Sequence, residues 1–420
     1  MTLTARQAAF GTANPHALAT ILEASETRHI IAATDIFDIS GIKLWARDQP
    51  VSASLQRRLM DRQLREPMES CLVAEDGVTV MTLVLALQKL VEGHSALAPL
   101  IKPHAARLAH EVAHLPLHPV AQLLLTAGQT TRPQAFDHAV AAMALCGALC
   151  AGQGGGTPEI RLAMLCGLLH DLGEFYIDPR HGEAEADRDL DFVSYQQLVV
   201  HPHVGQLLIG QLTHYPAAVA RAVAEHHERL DGSGYPHALR VDALSPLGRM
   251  LAVAEAALGA VRGEGTALLR ASVALRAVPG EFDLGWAGLI SRAANGGAAA
   301  SVMEPEDIVS RLYALSLVLE QAEAAVRRHQ AGVTHPGLRD ALALAAHLIG
   351  RLRTGWNESG LWNPQALDQG DAAEVEAMED ELYFRLRGIQ RVTLLRAGEL
   401  PAPEAAALAE LVDSLAMGAG

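Results

Sequence analysis

The chain has 420 residues, half of them hydrophobic and only 4% aromatic, with a net charge of −15. That length is more than one compact core usually reaches, and an acidic balance without a block of Lys or Arg excludes a duplex nucleic-acid binder held by phosphate neutralisation. Interiors filled by Ala and Leu pack most readily as helices, so a mainly α protein is expected.

The opening MTLTARQAAF has no basic segment followed by a sustained apolar stretch, so no signal peptide is read. Val78 to Leu87 is taken as the longest apolar stretch, too short to span a bilayer, and no membrane contact is expected. Cys71, Cys146, Cys150 and Cys166 form no CxxC pair, which suits reduced thiols in a cytoplasmic protein. From His29 to Trp45, HIIAATDIFDISGIKLW is rich in β-branched residues and broken at Ser40-Gly41, predicting a small β element with a hairpin turn. Asp35, Asp38 and Asp48 read as turn and surface residues. Val51 to Leu64 has amphipathic helical spacing. Residues 1–125 are read as an N-terminal regulatory or docking module.

Between Pro133 and Ala151 apolar and small residues surround His138, predicting a buried helix. Cys146 and Cys150 lie one turn apart there among Ala142, Ala144 and Gly147, a pattern for close packing rather than ligation. QGGGTPE breaks the chain at Gly154 to Gly156, and Thr157-Pro158 supplies an expected N-cap and first helical residue for a helix through Leu169. Helical patterns at Phe192 to Leu212, Ala217 to Glu228 and Leu247 to Arg262 complete a bundle, giving a core over 126–265. Ile308 to Gln330, Leu338 to Arg353 and Ala373 to Ala397 make residues 266–420 a C-terminal helical region. Its pattern fits internal packing and homodimerisation equally, and signalling partners are a further expectation for the flanking parts.

Within the core, His170-Asp171 ends the apolar run RLAMLCGLL, where an uncompensated carboxylate is costly and a metal ion would compensate it. His226-His227 ends a helix and leads into RLDGSGYP, a glycine-rich turn able to bring backbone close to a ligand. Adjacent helical histidines point roughly 100° apart, so one pair can address two metals, or one metal and a supporting partner. His138, His201 before Pro202, and Glu255 in MLAVAEAAL are further polar residues in apolar settings. Singly, each reads better as a hydrogen-bonded core residue or ion pair; together they point to a metal centre.

HDLGEFYIDP, VHPHVG and HHERLDGSGYP together resemble the HD-GYP family of bacterial cyclic di-GMP phosphodiesterases, over about Pro133 to Arg262. The resemblance implies an HD-type helical bundle core. It implies two divalent metals, iron or manganese, held by His138, His170, Asp171, His201, His226, His227 and Glu255, with Asp171 bridging. Asp231, Gly232, Gly234, Tyr235, Pro236 and Arg262 become the candidate substrate-binding residues, and Asp171 and Glu174 the candidate catalytic ones. The implied reaction is hydrolysis of cyclic di-GMP to a linear dinucleotide or GMP through a hydroxide activated by two metals, in bacterial signal transduction. Imidazole and carboxylate donors suit such metals independently.

This sequence departs from the family pattern at several positions. Glu174 stands where HDxGK members have a substrate-facing lysine, so a cation has become an anion near the expected phosphodiester. Glu255 replaces the usual final Asp, the RPYR-like segment is absent with Arg262 the nearby cation, and Gln134 replaces the Glu of three-metal members. Two other readings therefore stand beside the first: a catalytically degenerate signalling or nucleotide-binding protein, and an HD hydrolase of another phosphoester or nucleotide.

Overall fold

The computed structural model describes residues 9–93, 95–181, 192–261, 267–294, 305–359 and 372–416. The chain packs as two compact units, Met1–Glu255 and Ala256–Gly420.

In the first unit, helix α1 (Pro15–Ala24) starts at Asn14, whose side-chain oxygen accepts from the N–H groups of His16 and Ala17. Four short strands follow: β1 (Ile30–Ala32), β2 (Ile36–Phe37), β3 (Lys43–Trp45) and β4 (Leu72–Ala74). The expected hairpin is β2 against β3, antiparallel, with Ile36 opposite Trp45 and Gly41 at φ +83° in the turn. β1 instead pairs with the distant β4, a non-local choice that local spacing does not encode. Asp38 is buried rather than on the surface, because its Oδ1 accepts the Ile42 N–H and so closes the turn. The amphipathic helix is shorter than expected: α2 covers Ala53–Leu59, and Leu64 bridges back to Asp38.

Next come α3 (Val80–Glu92), α4 (Pro119–Thr131), α5 (Pro133–Gly152) and α6 (Thr157–Leu169). The N-cap of α6 is Gly156, one residue earlier than the Thr157 expected. Among the described residues α5, longer than the Val78 to Leu87 stretch, has the length and composition to cross a membrane, yet 72% of its apolar window is buried inside the protein. It packs along α6, while α1 and β4 pack on α4. A one-turn 3-10 helix, Leu172–Tyr176, then lies against α1, α4 and α8 (His201–Leu212). The single helix expected from Phe192 to Leu212 is two, α7 (Phe192–Leu198) and α8, broken before His201-Pro202 because Pro cannot donate to a continuing helix. α9 (Ala217–Glu225) packs on α6 and α8, and α10 (Pro246–Ala260) carries Glu255.

Gly173 allows the 3-10 turn to approach α8: a Cβ there would sit 2.0 Å from the His201 carbonyl oxygen and 2.8 Å from the Gly205 nitrogen. That approach brings the residues around Asp171 to His201.

The second unit is all helical among the described residues. α11 (Ala267–Arg276), α12 (Leu284–Ala294), α13 (Pro305–Gln330), α14 (Pro336–Ser359), α15 (Ala372–Leu395) and α16 (Ala402–Ala416) pack around Leu315, Leu342, Leu352, Trp356, Leu382 and Leu411. Arg385 pairs there with Glu281 and Glu381 and donates to the Ala274 carbonyl. α11, α12 and α16 lay outside the periodic patterns read from sequence.

Candidate metal centre

The seven expected ligands come together inside the first unit. His138 projects from α5, His170 and Asp171 follow α6, His201 opens α8, His226 and His227 follow α9, and Glu255 lies on α10. His170, His201 and His226 are fully buried, and His227 and Glu255 nearly so.

They form two clusters. In the first, Glu255 Oε2 lies 3.0 Å from both His138 Nε2 and His170 Nε2, and those two nitrogens are 3.2 Å apart. In the second, His201 Nε2 lies 3.0 Å from His226 Nε2, with a His227 ring nitrogen within 4.8 Å. Asp171 stands between them: Oδ2 is 2.9 Å from His170 Nε2, while Oδ1 is 3.5 Å from His226 Nε2 and 3.6 Å from His201 Nε2.

The tautomers follow from the backbone. His170, His201 and His226 each place Nδ1 at 2.6–2.8 Å from the carbonyl three residues earlier, of Gly167, Leu198 and Val223. A carbonyl only accepts, so Nδ1 carries the hydrogen, and each ring in its neutral form presents an Nε2 lone pair to the centre. Two such lone pairs facing each other at 3.0 Å repel unless a cation lies between them. Asp171 Oδ1, buried, has no hydrogen-bond partner among the described residues. Both features fit divalent metal ions, and the backbone carbonyls hold the rings as supporting partners commonly hold ligating histidines.

The electrostatics divide along the same line. Burial disfavours charge on His138 and His170, but Glu255 and Asp171 outweigh it, raising His138 to about 9 and His170 well above its ordinary value. Burial likewise opposes ionisation of Asp171 and Glu255, yet the histidines beside them hold both well below the usual carboxylate range. On the other side, burial and neighbouring histidines push His226 down to about 4, and burial pushes His227 down to about 3. Those two rings are neutral, the form that ligates.

The DGSGYP turn wraps this second cluster. Tyr235 stacks on His227 with ring centroids 4.6 Å apart and planes 16° off parallel, and its N–H donates to the His227 carbonyl. Gly234 is required there, since a Cβ would fall 2.4 Å from Glu228 Cα and the His227 carbonyl oxygen. Gly232 adopts φ +84°, the Tyr235-Pro236 peptide is cis, and the Asp231 Oδ1 accepts from Ser233 N–H. Arg262 lies outside the described residues, and Gln134 is exposed.

Sequence reading passed over two acids that flank the His pair. Glu228 is buried; Oε1 accepts the His237 N–H at 2.7 Å and Oε2 the Leu239 N–H at 2.8 Å, which closes the loop. Glu225 accepts from Ser245 N–H and from Arg221. The signal was the symmetric string EHHE, two acids where a helix end normally faces water. Arg132 was also missed. It lines a cleft of about 20 Å³, room for roughly one water, together with Asp171, Glu174 and apolar side chains including Phe175. Its guanidinium lies 5.2 Å from the Phe175 ring centroid and donates to the Glu174 carbonyl. Glu174 itself is buried, with a carboxylate oxygen within 4.8 Å of Asp171 and His201 ligand atoms. All four cysteines are buried and unbridged, and burial pushes the Cys166 thiol up to about 12, so they are packing groups.

Comparison with known proteins places this geometry in context. A family model described as HD domain matches residues 101–278. The chain is 34% identical over 154 residues to the cyclic di-GMP phosphodiesterase PA4108 of Pseudomonas aeruginosa, covering 36% of each protein. It is 31% identical over 102 residues to the cyclic di-GMP phosphodiesterase response regulator RpfG of Xanthomonas campestris pv. campestris, covering 23% of this chain and 25% of that one. These matches thus span about a third and a quarter of the two relatives' lengths. No solved structure matches the chain.

Proposed function

We propose that the chain, which matches the HD domain model over residues 101–278 and carries the HD-GYP motifs there, is a metal-dependent phosphodiesterase of the HD-GYP family hydrolysing cyclic di-GMP to a linear dinucleotide or GMP. The observation that supports this most directly is Asp171, whose two carboxylate oxygens face separate His-containing clusters, as a carboxylate bridging two ions must.

His138, His170, Glu255 and Asp171 Oδ2 would hold one ion, and His201, His226, His227 and Asp171 Oδ1 the other. Iron or manganese suits this mixture of imidazole and carboxylate. Bound there, two such ions supply Lewis-acid polarisation of a phosphoryl group and a nucleophile drawn from water at neutral pH. The protein's share is to keep donors in place before the reaction, so that little reorganisation is needed. The backbone carbonyls fix three ring orientations, Gly173 sets the distance between the Asp171 turn and His201, and Glu228 holds the DGSGYP loop where Tyr235 covers His227. That loop, Asp231 to Pro236, is the proposed contact surface for the nucleotide. Four unbridged cysteines support a cytoplasmic setting.

One observation favours a catalytically degenerate member: Glu174 places a carboxylate beside Asp171, where any phosphoester, being anionic, would meet repulsion. The test is to purify the full chain without chelator, quantify iron and manganese, and resolve cyclic di-GMP products by chromatography alongside a panel of nucleotides. Two metals with a linear or mononucleotide product support the proposal. Two metals with turnover of a different phosphoester support an HD hydrolase of another substrate. Metal without any turnover marks a degenerate member that binds only.

A further inference from the structure

Glu174 belongs to neither proposed four-donor set, yet it is buried within reach of both Asp171 and His201. Three groups of ligand atoms can be drawn in this region: His138, His170 and Glu255; His201, His226 and His227; and Asp171, Glu174 and His201. The last two share His201. Its Nδ1 is engaged with the Leu198 carbonyl, so only Nε2 can bind a cation, and one nitrogen lone pair serves one ion. An ion bound through that nitrogen is therefore the same one for both groups.

We propose that Glu174 is a fifth protein ligand of the ion held by His201, His226, His227 and Asp171. This inference rests on the two-cation reading above. Four donors, three of them imidazole, would satisfy a tetrahedral ion such as zinc. A fifth donor that is a carboxylate shifts the position toward ions that take six ligands, manganese(II) or iron(II), and leaves one vertex for substrate or water. It also changes the electrostatic meaning of Glu174. Uncoordinated, it is an anion that repels a phosphodiester; coordinated, its charge is neutralised by the ion, and the position as a whole attracts anions. Gly173, directly before Glu174, allows the close approach to the His201 backbone that the arrangement needs.

The experiment is a titration of the metal-depleted full chain with manganese(II), and separately with zinc(II), read by calorimetry and by elemental analysis after dialysis. Wild type is compared with Glu174→Gln, which keeps shape and removes the charge. The expected result is two manganese ions in wild type and, in the variant, one site weakened about tenfold or more, the scale on which groups supporting a metal act. Zinc affinity should change less. Two manganese ions of wild-type affinity in Glu174→Gln would overturn the inference and leave the two-cation reading standing. Absence of bound divalent ions in wild type would overturn both. Should the Gln variant not fold, Glu174→Asp decides: weaker manganese at one site supports ligation, and wild-type affinity at both sites overturns it.

Discussion

Replacing Gly173 by Ala tests how the site is assembled, because the obstacle is backbone. The added Cβ would lie 2.0 Å from the His201 carbonyl oxygen, whereas ordinary contact starts near 3.4 Å. No side-chain rotation relieves this, so the 3-10 turn and α8 must part by roughly 1 Å or more. Overpacking of this kind costs about 1–3 kcal/mol. At about 2–4 °C per kcal/mol for a unit of this size, the melting temperature should fall by about 2–12 °C. The same displacement separates Asp171 from His201, and a misplacement of about 1 Å costs roughly a hundredfold in rate. Expected together are a lower melting point, loss of bound metal and about a hundredfold slower hydrolysis. Gly210→Ala on the exposed side of α8 is the control: its Cβ meets Ala220 at 3.9 Å, and the variant should gain about 0.5–1 kcal/mol from helix propensity. Scanning calorimetry and elemental analysis read both. Gly173→Ala with wild-type melting and a full metal complement would refute the reasoning.

Substitution of His170 or Asp171 by Ala should lower metal content and hydrolysis together, and retention of full metal in either variant contradicts the site assignment. Manganese(II) at a hundredfold excess over its dissociation constant should stabilise the fold by about 2.7 kcal/mol per site, seen as a higher melting point that chelator reverses. Glu228→Gln should leave one of the His237 and Leu239 N–H groups without an acceptor, costing about 1–3 kcal/mol in the loop. It should raise KM while metal content stays at wild type, and an unchanged KM would argue against the loop as contact surface. Glu69 is buried under the Tyr176 hydroxyl, 2.8 Å away, and burial raises its carboxyl above the ordinary value of 4.5. The folded state therefore holds this proton more tightly, and its contribution is complete below about pH 4.5 and lost as pH rises toward the folded value. Glu69→Gln should flatten melting temperature against pH across that window, and parallel curves for variant and wild type would count against the account.

Much of the chemistry was legible because it depends on residue type at local spacing. Histidines and acids stood out in segments otherwise apolar, and paired HD and HH at helix ends sit where side chains can turn inward. The mainly α fold and the β2–β3 hairpin with Gly41 at its turn followed from composition and turn chemistry. Local pattern could not tell that β1 pairs with β4, since partners about forty residues apart are chosen by the tertiary fold and not by local spacing. The buried helix around His138 was legible in its nearly unbroken apolar and small residues, and α5 is enclosed by protein accordingly. Arg132, Glu225 and Glu228 look like surface charges in a linear reading and acquire roles only when other elements bring a cleft, a serine and two loop N–H groups to them. Glu174 shows the division most clearly. The sequence determined that a carboxylate follows the HD pair, while its approach to His201 was decided by the tertiary packing of a glycine against a carbonyl, a distance no spacing along the chain can specify.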